Sequence, residues 1–176
     1  DGRIEPLDLE KMHLMVEEAC QGLAGVSASQ VEMKSGIQFY DGITTEEIQE
    51  ILIRAASDLI DLDHPNYQFV AARLLLFALR KQLYGKMRDL PSLEDHIYSC
   101  VNAEVYDPEI YSKYSLEEIQ KADTYIDHTR DFMFTYAGLR QVADKYLVQD
   151  RSSGGVYETP QFMYMLIALT IFAEYP

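Results

Sequence analysis

Apolar residues recur at helical spacing along most of the chain. In the first segment they lie on one helical face, at Leu9, Met12, His13, Val16, Cys20 and Leu23. Asp8 precedes this stripe as a candidate N-cap, and Gly25 is a candidate stop. A second stripe runs from Ile48 to Leu62 and follows Thr44, which stands three residues before Glu47 as in a capping box. Both patterns predict amphipathic helices.

Further helix signals continue to the end of the sequence. A short helix is predicted over Ala28–Lys34, and a long one from Pro65 to about Tyr84, which Gly85 can close. After the polar stretch Lys86–Pro91, helix starts are marked by Ser92, by Ser115, by Thr135 and by the pair Thr159-Pro160.

Two small hairpins are also predicted. Asp1-Gly2 is a tight-turn dipeptide that a short strand at 3–7 can follow. The second hairpin would pair 146–148 with 156–157 around a turn rich in serine and glycine. The fold class expected from these patterns is mainly α: a helical bundle capped by a small β-hairpin, followed by a helical segment with a second small hairpin.

Composition narrows the possible functions. The 176 residues carry a formal net charge of -14, which opposes general nucleic-acid binding. A single nucleotide can still bind where a few cations cluster. Cys20 and Cys100 form no CxxC pair, so two free thiols in a reducing, cytoplasmic compartment are expected. The longest apolar run, 162–173, is too short to cross a bilayer, and we expect no membrane partner.

Candidate chemistry is sparse. The sequence has no glycine-rich phosphate loop and no metal-type cysteine or histidine spacing, so neither a metal site nor a catalytic site is predicted. Arg73, Phe77 and Lys81 share one helical face at i, i+4 and i+8. Lys11 adds a cation, and Thr45 stands at a helix start, where unpaired amides suit an anion. Periodicity alone leaves the alternative that these residues form a solvated edge beside a core aromatic.

The order of several motifs resembles a known regulatory domain. The blocks are D-G-x-x-E-x-x-D-x-x-K-M at 1–12, Y-D-G-I-T-T at 40–45, Y-Q-F-V-A-A-R at 67–73 and L-R-K-x-x-Y-G at 79–85. They resemble an ATP-cone, a helical bundle capped by a small hairpin that binds ATP or dATP. The implied cone covers residues 1–86, with its first strand missing from this sequence.

The second half resembles the large (alpha) subunit of class I ribonucleotide reductases. The similar blocks are F-T-Y-A-G at 134–138, K-Y-L-V at 145–148 and Y-E-T-P-Q-F-M at 157–163. In that family they belong to the helical region before a ten-stranded catalytic barrel. Residues 87–176 are therefore expected to form this helical region, and the family's catalytic thiols fall outside the sequence.

The resemblance implies an allosteric site for ATP or dATP, with Mg accompanying the triphosphate. By position, the nucleotide would be lined by Glu5, Pro6, Leu7, Asp8, Leu9, Glu10 and Lys11, together with Thr45, Phe77 and Lys81. Lys11 and Lys81 would contact phosphate, and Thr45 would lie at the base or ribose end. Implied partners are the remainder of the large subunit, a second large subunit and a radical-bearing small subunit.

Three departures from the family pattern bear on inhibition by dATP. The basic strand that precedes the Asp-Gly turn in the family is absent, Gln49 replaces a histidine of some relatives, and Glu18 replaces a tryptophan. These departures favour an alternative, a helical interaction module with a vestigial nucleotide site. A cone-based repressor is a third possibility, but it would need a zinc ribbon with paired cysteines.

Overall fold

The computed structural model describes residues 5–150, 152–173 and 175. It is mainly helical. Its α-helices are α1 Leu9–Cys20, α2 Ala28–Gly36, α3 Thr45–Ser57, α4 Tyr67–Tyr84, α5 Leu93–Asn102, α6 Ile110–Lys113, α7 Leu116–Asp123, α8 Tyr136–Lys145 and α9 Pro160–Ile171, and a 3-10 helix spans His128–Met133.

The chain divides into two compact units, each described by itself below. Unit 1 comprises residues 1–78 and 132–140, and unit 2 comprises 79–131 and 141–176. The division at 78/79 falls inside α4, whereas the boundary predicted from sequence at 86/87 falls in the non-helical stretch after that helix.

Unit 1 is built from α1, α2 and α3 together with the first part of α4. Helix α2 packs against both α1 and α3. Its core consists mostly of aliphatic and small side chains, including Val16, Val31, Leu52, Ile53 and Val70, all at most 1% exposed. Burial of this apolar stripe stabilises the three short helices, which are too short to be stable alone in water.

Unit 2 has its core between α5, α7 and α9. Leu93, Ile97, Ile119 and Phe162 are fully buried there, and half-buried aliphatic and tyrosine side chains pack around them. Helix α9 is opened by Thr159 as N-cap and Pro160 at the first helical position, as the sequence predicts. The missing amide of proline costs nothing at that position because it would have no partner within the helix.

The predicted hairpins are not confirmed. Residues 1–4, which hold the first turn, lie outside the described part of the chain, and 5–8 have no regular structure. At the second site a single antiparallel bridge joins Gln149 to Val156, and no strand extends from it. Two backbone hydrogen bonds flank this bridge, from the Tyr157 amide to the Val148 carbonyl oxygen at 2.9 Å and from the Asp150 amide to the Gly155 carbonyl oxygen at 2.8 Å. In the turn between them, Asp150 also accepts hydrogen bonds from Ser152 and Ser153.

Two helices are shorter than the apolar stripes in the sequence predicted. Helix α1 ends at Cys20 rather than near Gly25, because Gly22 already adopts a left-handed φ of 74°. Helix α3 ends at Ser57, and Leu62 is fully exposed in the loop beyond it. Leu9, the first residue of the α1 stripe, is 61% exposed, and so is Tyr146, the residue after α8.

Candidate functional site

The start of α1 carries most of the predicted site residues. Asp8 caps the helix, and its Oδ1 accepts a hydrogen bond of 2.9 Å from the amide of Lys11. All seven predicted residues of this segment are exposed. Four of them precede the helix: Glu5, Pro6, Leu7 and Asp8. The other three form its first turn: Leu9, Glu10 and Lys11. A ligand can therefore reach this segment, but a phosphate must compete there with the Asp8 carboxylate.

The start of α3 positions Thr45. Thr44 and Glu47 form the predicted capping box: the Glu47 amide donates to Thr44 Oγ1 at 3.2 Å, and the Thr44 amide donates to Glu47 Oε2 at 2.9 Å. The Thr44 amide and the Tyr40 hydroxyl hold the pKa of Glu47 below its usual value. Thr45 is the exposed first residue of this helix, with its hydroxyl one residue beyond the box.

The three α4 residues predicted to share one face, Arg73, Phe77 and Lys81, lie in different environments. Phe77 is 1% exposed and packs edge-on against Phe132, with ring centroids 6.0 Å apart. Its burial agrees with the core interpretation of this aromatic. Lys81, in the last turn of α4, is exposed and available to a ligand.

Arg73 completes a structural contact. Its Nη1 donates to the carbonyl oxygens of Ala19 at 3.1 Å and Gln21 at 2.7 Å. Those oxygens lie at the C-terminal end of α1, where helix carbonyls lack partners within the helix. The guanidinium carbon also lies 5.5 Å from the centre of the Phe132 ring. Arg73 therefore ties α1 to α4 and to residue 132 within unit 1.

Two cavities are described, and neither is lined by the predicted nucleotide residues. One, of about 480 Å³, lies in unit 1 beside Leu14, Glu17, Glu18, Cys20, Gln21 and Ala28. The other, of about 430 Å³, lies in unit 2, where mostly apolar side chains of α6 and α9 surround Tyr106 and Glu158. The convergence of Lys11, Thr45 and Lys81 on one nucleotide stays a prediction.

The thiols are poor nucleophiles. Burial raises the pKa of both Cys20 and Cys100 to about 11, so few are ionised at neutral pH. Both are free. Nothing in this environment assigns either of them a redox role.

Sequence reasoning missed a buried polar cluster in unit 2. Tyr106 donates its hydroxyl proton to the Glu158 carboxylate, and His96 Nε2 lies 3.0 Å from the same hydroxyl oxygen. Because the Tyr106 hydroxyl already donates its proton to Glu158, it must accept the hydrogen bond with His96, and His96 Nε2 is the donor. Glu158 Oε1 also accepts from the Val148 amide at 2.8 Å. These residues are up to 62 positions apart, and no local spacing signals their contact.

Burial fixes the charge state of this cluster. It lowers the pKa of His96 to about 4, which keeps the imidazole neutral at pH 7, and it raises the pKa of Glu158. The His96 ring stacks on Phe162 at a centroid distance of 4.3 Å. The cluster is a hydrogen-bonded polar core whose Tyr106 and Glu158 also line the cavity of unit 2.

Two kinds of feature are absent from the described residues. Within 5–150, 152–173 and 175, no group of three or more carboxylate, histidine or cysteine side chains is placed to hold a metal ion. In that same part of the chain no helix combines the length and the apolar character needed to span a membrane.

Comparison with protein families identifies both halves of the chain. Residues 1–82 match the ATP cone domain, and residues 132–175 match the all-alpha domain of ribonucleotide reductase. These matches define the class: an ATP-cone joined to a reductase helical domain.

Individual relatives give the particular family. The chain is 48% identical to ribonucleoside-diphosphate reductase 1 subunit alpha of Escherichia coli over all 176 residues, and 47% identical to the alpha subunit of Haemophilus influenzae. It is 48% identical to the alpha subunit of Enterobacteria phage T4 over 154 residues, which cover 86% of this chain and 20% of the phage protein. The chain belongs to the ribonucleoside-diphosphate reductase alpha-subunit family and spans 23% of the length of the two bacterial relatives.

Proposed function

We propose that this chain is the overall-activity regulatory region of a ribonucleoside-diphosphate reductase, and that it binds ATP or dATP with Mg. The ATP-cone match over residues 1–82 carries the proposal. It is supported by the exposed starts of α1 and α3 and by the exposed cations Lys11 and Lys81. Lys11 and Lys81 would neutralise phosphate charge, and Thr45 would hydrogen-bond the ribose or base.

Magnesium is a necessary part of this proposal. Glu5, Asp8 and Glu10 lie within the same exposed segment as Lys11, so a bare triphosphate would meet three carboxylates for one cation. A divalent ion bridging the phosphates reduces that repulsion, and Mg²⁺ is usually held by phosphates, waters and one or two carboxylates. Phe77 takes a packing role in unit 1, in keeping with its burial and its contact with Phe132.

The rest of the reductase completes the function. We infer that residues 1–86 form the cone and that residues 87–176 connect it to the remainder of the large subunit, where ribonucleotides are reduced to deoxyribonucleotides. The assembly would include a second large subunit and a radical-bearing small subunit, in a reducing cytoplasm that suits the free cysteines. ATP and dATP would regulate it by binding active and inhibited assemblies with different affinity.

Isothermal titration calorimetry tests the binding step. MgATP and MgdATP are titrated into the wild-type chain, into Lys81→Ala and into Lys121→Ala. Lys121 is a matched control, because it is also an exposed lysine in the last turn of a helix. We expect Lys81→Ala to weaken binding by about tenfold, a loss of about 1.4 kcal/mol, and Lys121→Ala to change nothing. Equal affinity in the three proteins would remove Lys81 from the site.

A second function, a helical subunit-interaction module with a vestigial site, is favoured by one observation. The cavity in unit 1 is lined by Glu17 and Glu18 and by none of the predicted nucleotide residues, so its acidic lining does not suit a triphosphate. Light scattering of the complete alpha subunit with and without dATP distinguishes the regulatory function from the vestigial interaction module. The regulatory function predicts a change in mass with dATP, and the vestigial module predicts none.

A further inference from the structure

A second buried polar chain lies in unit 2, centred on Asp131 in the 3-10 helix. Arg80 Nη2, on α4, lies 3.3 Å from Asp131 Oδ2 and also donates to the carbonyl oxygen of His128 at 2.8 Å. The other oxygen, Asp131 Oδ1, accepts from Gln161 Nε2 on α9 at 3.1 Å. One carboxylate therefore joins α4 to α9.

This carboxylate is deeply buried, which makes its partners indispensable. Arg80 is 4% exposed and Asp131 is 1% exposed. Burial raises the pKa of Asp131 to about 6 even though Gln161 and Arg80 favour the ionised form. A buried pair of this kind contributes little net stability, but removing one partner leaves an unmatched charge. The contact is better suited to fixing the relative positions of three elements than to stabilising the fold.

Arg80 is adjacent to the predicted phosphate ligand Lys81. The two side chains leave α4 about 100° apart, one turned into unit 2 and the other exposed. A phosphate bound at Lys81 would act on the same turn of α4 that carries Arg80. A displacement of that turn would be passed from Arg80 to Asp131 and, through Gln161, to the first turn of α9.

The first turn of α9 is placed to respond. Gln161 is its second residue, directly after the buried Pro160. The first hydrogen bond of the helix follows at once, from the Met163 amide to the Thr159 carbonyl oxygen at 3.0 Å. A shift of Gln161 changes the opening of this turn, and amide hydrogen exchange reports such opening.

We propose that Arg80, Asp131 and Gln161 are positioning residues that couple nucleotide occupancy at Lys81 to the first turn of α9. The coupling rests on the proposed function, since it begins with a nucleotide on Lys81. It gives the reductase helical domain a way to sense the cone through side chains that never touch the nucleotide.

Amide hydrogen exchange with and without saturating MgATP tests this coupling in the 176-residue chain, read at Met163. In the wild type we expect MgATP to change the Met163 exchange rate by about fivefold or more, the lower range of typical allosteric coupling. Asp131→Asn should abolish this response while its nucleotide dissociation constant, measured by calorimetry, stays within about twofold of wild type. The matched control is Asp127→Asn, because Asp127 is an exposed carboxylate four residues earlier that pairs with Arg130 at 3.8 Å. The control should respond like the wild type.

The possible failures are distinguishable. A wild type that binds no nucleotide overturns the proposed function itself. A wild type that binds with unchanged exchange at Met163, or an Asp131→Asn variant that keeps the full response, overturns the coupling alone. If Asp131→Asn does not fold, Gln161→Leu preserves the Arg80–Asp131 pair and cuts only the link to α9, and a retained response in that variant also overturns the coupling.

Discussion

The two units differ in where they keep their polar groups. Among the described residues, Ser35 is the buried polar side chain of unit 1, whereas unit 2 buries Arg80, His96, Asp131, Glu158 and Thr159. Unit 1 leaves its carboxylates and lysines on exposed helix starts and ends. Unit 2 also exposes charged side chains at its helix starts and ends, but it buries Arg80, Asp131 and Glu158 against partners from other elements.

The difference separates two physical tasks. Exposed charges contribute little to stability but remain available to a charged ligand. Buried polar groups are costly unless satisfied, and their satisfaction specifies one arrangement of the helices.

The largest expected effect on stability comes from the aromatic centre of unit 2. Phe162 is fully buried, stacks on His96 and meets the edge of His128 at a centroid distance of 4.9 Å. We expect Phe162→Ala to lower the free energy of unfolding by about 3–5 kcal/mol, measured by urea denaturation. Leu62→Ala, at a fully exposed apolar residue of unit 1, should change it by less than about 0.5 kcal/mol. Comparable losses in both variants would remove the contrast between the units.

Acid sensitivity should also reside in unit 2. The pKa of His96 is 6.5 when unperturbed and about 4 in the fold, so the unfolded chain binds more protons between these values. The free energy of unfolding therefore falls as pH drops through this window, by about 2–3 kcal/mol from this group near pH 4.5. The raised pKa of Asp131 acts in the opposite direction, and the variant below leaves it in place.

His96→Gln isolates the contribution of the imidazole. Urea denaturation at about pH 7.5 and about pH 4.5 should show a loss on acidification that is smaller than wild type by about 2–3 kcal/mol. His64→Gln, at an exposed histidine of unit 1, should show the wild-type loss. An unchanged loss in His96→Gln would contradict the burial of a neutral imidazole.

The smallest expected effect concerns a feature that both units share. Thr44 in unit 1 and Ser115 in unit 2 each form a complete capping box. Thr44→Ala and Ser115→Ala should each cost about 1 kcal/mol in urea denaturation, because each leaves one first-turn amide without its side-chain acceptor. A several-fold difference between them would mean that the units respond differently even to a local change.

The features predicted correctly from sequence were the local ones. Capping by Asp8, Thr44, Ser92 and Ser115 depends on residues three positions apart, and each was found where the spacing indicated. The second hairpin is not confirmed as a pair of strands: the pairing is limited to one antiparallel bridge, because so short a segment gives few ladder bonds and Asp150 makes local turn bonds.

The features that could not be predicted depend on long-range contacts. Arg80 meets Asp131 across 51 positions, and Asp131 meets Gln161 across 30. Nothing near Arg80 distinguishes it from Lys81, yet one is buried and the other exposed. For the proposed nucleotide site, the sequence indicated the family and the candidate residues, whereas a shared location for Lys11, Thr45 and Lys81 stays a prediction because it depends on packing that periodicity does not encode.

The most direct test of the regulatory role is nuclear magnetic resonance mapping of MgATP on the isotope-labelled chain. The account predicts that amide shifts at Lys11 and Thr45 and the side-chain signals of Lys81 saturate together, with one dissociation constant. Shifts that are absent at millimolar MgATP, or that saturate at separate concentrations for these three residues, would contradict a shared nucleotide site.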